Sequence, residues 1–334
     1  MMLVSLSILG FGNVGRGVAR VLLEKREWFR RRYGIEFKVV SISDSSATVW
    51  DESGIDLREA LEVKETFGRL SYWGNEYDLY HLPPEDVAKE VESDVFIDLT
   101  PANPEAYKWH MEAFRMGRHV VTSNKPPLVH HYVELIQEAA MRGVNYRFEA
   151  TVMAGTPIIT LLQESLLGDG IESIEGVFNG TSTFILSEME RGLTFDEALK
   201  KAQSLGIAEA NPDVDIKGFD AAYKATILHD ITFEPISFKK VKVRGIDGVS
   251  EEDIRKAAEK EKVIRLMAKI ERRNVVVEPR EVPKNSPLAV YGTSNVALIK
   301  SDLLGELILK GAGAGVKETA SAVVSDIIKC VRRS

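Results

Sequence analysis

Two groups of residues in this 334-residue chain could do chemistry: a glycine loop suited to phosphates, and a set of lysines and carboxylates far along the sequence. Gly10-Phe11-Gly12-Asn13-Val14-Gly15 fits G-x-G-x-x-G, directly after the apolar run Leu3–Leu9 and at the start of an amphipathic stretch. Gly10 permits the tight turn, Gly12 lets a pyrophosphate approach the backbone, and Gly15 lets the helix pack against the strand. The free N–H groups at the helix start, around Asn13 and Val14, then bind phosphates. In that context the motif implies a dinucleotide; the plainer alternative is a strand–helix turn without a ligand. Asp44 closes the next β-rich run, further from the loop than the usual ~20-residue spacing. An acidic residue there binds the ribose hydroxyl of NAD and repels the extra phosphate of NADP. The expectation therefore leans to NAD, with NADP open because the hydroxyls of Ser45 and Ser46 suit a phosphate. A turn residue is the other reading of Asp44.

Lys125 follows a strand end, on the side where open α/β sheets bind ligands. Asp220 and Lys224 stand one helical turn apart and project from one face, with Glu209, Asp213 and Asp215 just upstream. An ammonium so placed could meet an oxygen that turns negative during a reaction. Taken alone, an Asp–Lys pair at this spacing is a surface helix pair worth ~0.3–0.5 kcal/mol. Two aspartates one residue apart in a loop are a turn or a divalent-cation site. The histidines give no metal spacing, so His110, His119 and His229 read as structural or solvated. Trp28, Trp50, Trp73 and Trp109 read as packing residues.

The elements that must position these groups follow an α/β rhythm at first. Strands at Leu3–Leu9, Phe37–Ser43, Asp94–Leu99 and His119–Thr122 alternate with helices at Val14–Arg32, Pro104–Met116 and Tyr132–Arg142. This predicts a Rossmann-type, doubly wound parallel sheet. Residues 45–80 read as an irregular excursion with a short helix near Leu57–Val63. Beyond residue 145 the rhythm is lost. Helices at Pro157–Leu167, Thr181–Arg191, Thr194–Leu205 and Phe219–Ile231 mix with strands at Ile171–Asn179, Val263–Glu271, Asn274–Glu281, Leu288–Val296, Ala297–Lys300 and Leu303–Lys310. Thr194 with Glu197 three residues on is a capping box. We expect a dinucleotide-binding domain over 1–145, an α+β catalytic and dimerisation domain over 146–305, and a segment 306–334 whose helix, Val316–Val331, returns to the first domain.

Composition narrows the class. A net charge of −7 argues against a nucleic-acid partner. The basic run from Lys25 to Arg32 suits the negative end of a helix dipole. No apolar run reaches the ~18 residues of a membrane span. One cysteine, Cys330, forms neither an internal disulfide nor a zinc site, which favours a cytoplasmic, reducing setting.

An ordered series of blocks resembles the homoserine dehydrogenase family across nearly the whole chain. They are DLTP at 98–101, VVTSNKPPL at 120–128, FEATVMAGTPII at 148–159, NGTSTFIL at 179–186, LGIAEANPDVDIKGFDAAYK at 205–224 and GAGAG at 311–315. Ser123, Pro126 and Thr183 depart from the common pattern. The resemblance implies NAD(P)-dependent interconversion of aspartate β-semialdehyde, a small amino-acid substrate, and homoserine. It implies Lys224 as proton donor to the carbonyl oxygen, Lys125 as an orienting residue sharing that role, and Asp215 and Asp220 positioning the substrate and the lysine. Glu209 would contact the homoserine end, with Gly180 and Thr181 at the substrate. Thr100, Pro101, Lys125, Gly313 and Gly315 would border the cofactor. Glu149, Val152, Ala154 and Thr156 would wrap a monovalent cation such as Na+, mainly by backbone carbonyls. A homodimer is expected, because the middle block carries more sheet than its helices would cover, and so is a member without an added regulatory domain. The departures keep open a different NAD(P) reductase of a small amino or oxo acid, or a dinucleotide sensor without activity.

Overall fold

Leu6 to Leu9 are buried on both faces of Met2–Leu9 (β1), as a central parallel strand requires. The computed structural model describes residues 1–74 and 77–332, and these divide into two units. The first holds Met1–Thr151 and the helix Val316–Val331; the second is Val152–Gly315. The chain thus passes between units at 151/152 and 315/316, where the sequence suggested 145/146 and 305/306.

The further strands of the first unit are β2 (Ile35–Ser43), β3 (Thr48–Trp50), β4 (Leu79–Tyr80), β5 (Val95–Asp98), β6 (His119–Thr122) and β7 (Tyr146–Arg147). They stand in the order β4-β3-β2-β1-β5-β6-β7, parallel from β2 to β7, with β3 and β4 added antiparallel at one edge. The chain moves from β1 to β2 on one side and later to β5 on the other. The carboxyl ends of β1 and β5 therefore flank a topological switch point, the usual ligand crevice of such sheets.

Three local expectations need correction. The helix expected over Val14–Arg32 is two helices, α1 (Asn13–Glu24) and α2 (Arg26–Tyr33), broken where Lys25 leaves helical geometry. The restart lets Arg26 and Arg30 both reach Glu36 at the head of β2, and sets Phe29 edge-on to Phe37. The described residues of the excursion, 45–74 and 77–80, form regular elements. Asp56 caps α3 (Leu57–Phe67) by accepting from the Arg58 N–H, and Ile55, Leu57, Ala60, Leu61, Leu70 and Trp73 join the core around β1. Asn75 and Glu76, in the same stretch, lie outside the described residues. After α4 (Pro84–Glu90) and α5 (Ala106–Arg115), the helix expected from Tyr132 begins at Lys125 instead: α6 spans Lys125–Arg142 with a kink at His131. Pro126 and Pro127 fit its first turn, where a missing N–H costs nothing.

The helix Val316–Val331 packs on α1. A Cβ on Gly17 would lie 2.7 Å from a Val316 methyl, so any larger residue would have to push Val316 aside. Ala320, Val323, Val324 and Ile327 enter the same core as Val18, Ala19 and Leu22.

In the second unit a short helix α7 (Ile158–Thr160) runs into a π turn at Leu161–Ser165, in place of the continuous helix expected over Pro157–Leu167. The sheet comprises β8 (Ile171–Val177), β9 (Lys242–Val243), β10 (Lys262–Glu271), β11 (Asn274–Pro283), β12 (Ser294–Ser301) and β13 (Gly305–Ala312), in the order β13-β12-β8-β10-β11-β9. All pairs are antiparallel except β9 with β11. The three strands expected between Leu288 and Lys310 are thus one hairpin, β12–β13, and Leu288 and Val290 pack into the core ahead of it. Helices α8 (Gly180–Met189), α9 (Phe195–Ser204), α10 (Asp213–Ile216), α11 (Phe219–Thr232) and α12 (Glu251–Glu259) complete the unit. The capping box at Thr194 and Glu197 is present.

Candidate active site

The glycine loop has the geometry its composition implies. Gly10 sits at φ +98°, and a Cβ there would lie 2.5 Å from the Leu99 carbonyl carbon. A Cβ on Gly15 would lie 2.4 Å from the Gly10 carbonyl oxygen. Around Gly12 nothing comes within 4 Å of that position. Gly12 is also the N-cap of α1, and as a glycine it brings no side chain to accept from the first-turn N–H groups. These donors, with the positive end of the helix dipole, suit a pyrophosphate. Arg16 adds a cation, donating to the Asn13 side chain (2.7 Å) and the Gly12 carbonyl.

Asp44 stands at the end of β2, but its carboxylate is committed within the chain. Oδ1 accepts from the Ser46 N–H (2.7 Å) and hydroxyl (2.6 Å) and from the Ala47 N–H (3.2 Å). Oδ2 accepts from Lys64 of α3 and from the Leu70 N–H (3.1 Å). Burial alone would raise its pKa; the bonds from Lys64, Ser46 and Leu70 outweigh that and hold it below the ordinary value. Asp44 thus ties down the excursion, with little acceptor capacity left for a ribose.

At the carboxyl ends of β5 and β6, the loop holding Thr100 and Pro101 and the start of α6 are joined by Asn124. Its Nδ2 donates to Asp98 Oδ2 (3.2 Å), to the Thr100 hydroxyl (3.1 Å) and to the Pro101 carbonyl, and its Oδ1 accepts from the Asn103 N–H (3.1 Å). Lys125, the next residue, is half-buried at the first position of α6.

The second unit gathers the polar cluster. Lys224 is 8% exposed, which removes the surface-pair reading of Asp220 and Lys224. Its ammonium lies 2.7 Å from Asp220 Oδ2 and donates to the Phe178 carbonyl at 2.7 Å. Asn295 Nδ2 donates to the same carbonyl (3.0 Å). Asn179, the N-cap of α8, bridges the two acids: its Nδ2 donates to Asp215 Oδ1 (2.6 Å) and Asp220 Oδ2 (2.9 Å), while its Oδ1 accepts from the Ser182 N–H (2.7 Å). Burial, and then the Asp220 charge, push the Asp215 carboxyl above its ordinary value. Asp213 and Asp215 are in α10 rather than in a loop, and Asp213 pairs with Lys217. Gly180 begins α8, where a Cβ would press on Thr293 (3.1 Å), and the Thr181 hydroxyl donates to the Ile207 carbonyl.

Sequence reasoning missed Asn179, Asn295 and Asn124. Asn179 and Asn124 lie inside recognised blocks, but an asparagine at a strand end also reads as an ordinary cap.

Glu209 is exposed in the segment between α9 and α10. Gly313 is buried, and a Cβ on it would lie 2.3 Å from the Asn295 side-chain oxygen; Gly315 takes φ +145°. Glu149 is buried in a 3-10 turn of the first unit, where its N–H donates to Asp326 (2.8 Å). In the second unit Val152 and Ala154 are buried, and a Cβ on Gly311 would lie 2.0 Å from the Thr156 hydroxyl. Met153 and Ala154 are consecutive left-handed residues (φ +56° and +51°). Among the described residues no group of His, Cys, Asp and Glu side chains forms a metal site.

Two family models cover most of the chain: one described as the homoserine dehydrogenase NAD binding domain over residues 10–149, and one described as homoserine dehydrogenase over 157–328. The homoserine dehydrogenase of Methanocaldococcus jannaschii is 45% identical over 96% of each chain. The NAD(+)-dependent homoserine dehydrogenase of Pseudomonas canavaninivorans is 34% identical over 97% of this chain and 95% of its own. The solved structure of a hyperthermophilic archaeal homoserine dehydrogenase in complex with NADPH aligns with a TM-score of 0.89, at 42% identity and 98% coverage of both chains. With the dinucleotide loop and the buried lysine–aspartate cluster in place, the chain is a member of the homoserine dehydrogenase family, whose enzymes are NAD(P)-dependent oxidoreductases.

Proposed function

We propose that this chain catalyses the reversible, NAD(P)-dependent interconversion of L-aspartate 4-semialdehyde and L-homoserine, within threonine, methionine and isoleucine biosynthesis. The carrying observation is the buried Lys224 held by Asp220 and the Phe178 carbonyl, with Asp215 alongside. The dinucleotide supplies or accepts the hydride. An ammonium has three N–H donors. Asp220 and Phe178 direct two of them, and the third serves the substrate oxygen, on which charge develops as hydride moves. Lys224 gives that oxygen its proton in reduction and takes it back in oxidation. Asp215, Asp220 and Glu209 receive the substrate's ammonium and hydroxyl ends, and Lys125 orients the substrate. Gly180 and Thr181 hold the start of α8 against it.

Gly10, Gly12, Asn13, Val14 and Gly15 cradle the pyrophosphate, bordered by Thr100 and Pro101; a cofactor role for Gly313 and Gly315 rests on the family resemblance of the GAGAG stretch. Because Asp44 is committed to Lys64, it no longer argues for NAD over NADP, and both cofactors are substrates. The family resemblance assigns a monovalent cation to Glu149 of the first unit and to Val152, Ala154 and Thr156 of the second. The left-handed pair at Met153 and Ala154 is a backbone cost of order 1–3 kcal/mol per residue that a carbonyl-bound ion would offset. The edge strand β13, exposed along most of its length, supports a homodimer that covers it. A reducing, cytoplasmic setting accords with the single buried cysteine.

The test is reduction of NAD+ and NADP+ by L-homoserine, followed at the nicotinamide absorbance. Lys224→Ala should lower kcat by roughly 10³-fold or more while dinucleotide binding persists. Unchanged turnover in that variant would end the assignment.

A further inference from the structure

We infer that His110 is a positioning residue for Lys125: through Asp98 and Asn124 it fixes the loops at the carboxyl ends of β5 and β6. The inference rests on the reading of Lys125 as the residue that orients substrate.

His110 lies on α5, and both it and Asp98 are fully buried. Its Nε2 is 2.9 Å from Asp98 Oδ2, and its Nδ1 is 3.0 Å from the Tyr146 hydroxyl. Burial, and then the Asp98 charge, push the Tyr146 phenol well above its ordinary value, so its hydroxyl keeps its proton. Nε2 faces a carboxylate oxygen, an acceptor, and is therefore the donor of that pair.

Asp98 in turn organises both loops. Its Oδ1 accepts from the Thr100 N–H (3.0 Å) and hydroxyl (2.6 Å); its Oδ2 accepts from His110, from Asn124 Nδ2 (3.2 Å) and from the Thr122 hydroxyl (3.5 Å). The His110 bond is the shortest of the three at Oδ2 and, with the two Thr100 bonds at Oδ1, fixes the rotation of the carboxylate. Asn124, which also holds Thr100, Pro101 and Asn103, gives no side-chain cap to its own helix. Pro126 and Pro127 remove two of the N–H groups it could have capped. The Asn124 amide is therefore turned across to the neighbouring loop, and Lys125 inherits its backbone position from that linkage. A strand end needs no buried carboxylate with five donors. Here every donor except His110 lies on or beside the ligand end of the sheet, and His110 holds the carboxylate from behind.

The test is a double-mutant cycle on the full-length enzyme with homoserine and NADP+, kcat being taken per folded protein. His110→Phe keeps the volume and removes the donor. A displacement of Lys125 by a fraction of an ångström to 1 Å should lower kcat roughly 10–100-fold, with both KM values within about 3-fold. His110→Gln, whose amide can donate to Asp98 and accept from Tyr146, should recover kcat to within about 3-fold of the parent. In a Lys125→Ala background, His110→Phe should cause no further loss. Multiplying losses, or no recovery with Gln, would overturn the inference while leaving Lys125 in place. An unchanged kcat in Lys125→Ala alone would remove the role of Lys125 and the inference with it. If His110→Phe does not fold, Tyr146→Phe enters the same cycle, with a loss of about 3-fold expected, again absent without Lys125.

Discussion

Replacing Asp326 with asparagine should remove a pH dependence of stability that the fold builds into its C-terminal helix. Asp326 is 2% exposed and accepts the Glu149 N–H at 2.8 Å. Burial is the largest influence on its carboxyl and the Glu149 charge adds to it; the backbone bond, Lys329 at 3.8 Å and Arg147 pull the other way. The net result is a rise from 3.8 to about 7. The folded chain therefore holds this proton more tightly than the unfolded chain. The stability this lends is fully present below pH 3.8 and is lost as pH rises to about 7, beyond which the loss is constant. At 1.36 kcal/mol per pH unit the whole loss is about 4 kcal/mol, of which about 2–3 kcal/mol falls between pH 5 and pH 8. Asparagine keeps the oxygen that accepts the Glu149 N–H but carries no charge. Urea unfolding of parent and Asp326→Asn at pH 5 and pH 8 measures the difference directly. The variant's advantage should widen by that amount at the higher pH. An advantage that is the same at both, or that shrinks, would refute the argument.

Two glycines of the dinucleotide loop should separate packing from binding. Gly15→Ala forces a methyl onto the Gly10 carbonyl oxygen and should lower the melting temperature. Gly12→Ala meets no protein atom, so it should melt like the parent while the dinucleotide KM rises at least about 10-fold. Asn179→Ala leaves Asp215 and Asp220 without their shared donor and α8 without its cap. It should raise the homoserine KM about 10-fold or more and leave the dinucleotide KM within about 2-fold, read from steady-state kinetics.

The parts of this fold legible in the sequence are those with a repeating period or a local rule. Strand–helix alternation marks β1, β2, β5 and β6; the glycine spacing marks the loop after β1; Thr194 with Glu197 marks the start of α9. The parts that were not legible depend on distant partners. Strands β3 and β4 are three and two residues long, too short to show alternation, and exist because β2 offers an edge to β3 and β3 in turn to β4. The break at Lys25 shows only once Glu36 stands opposite Arg26 and Arg30. At the site, spacing could not distinguish a surface Asp220–Lys224 pair from a buried one, because the Phe178 carbonyl and Asn179 reach the pair from another strand and helix. Asp44 is the reverse case. Its place at the strand end is as expected, yet its oxygens are taken by Ser46, Ala47, Lys64 and Leu70, a set visible only in three dimensions.

The helix Val316–Val331 supplies Ala320, Val323, Val324 and Ile327 to the core built around β1, although the whole second unit separates it from the rest of the first in the chain. During synthesis the nucleotide-binding half must therefore wait, with an apolar groove open beside α1, until roughly half of the polypeptide has followed it out of the ribosome. Chaperone dependence and aggregation during expression should be governed by that interval. A circular permutant that joins Val316–Val331 ahead of Met1 would shorten it, making the nucleotide-binding half contiguous for the first time.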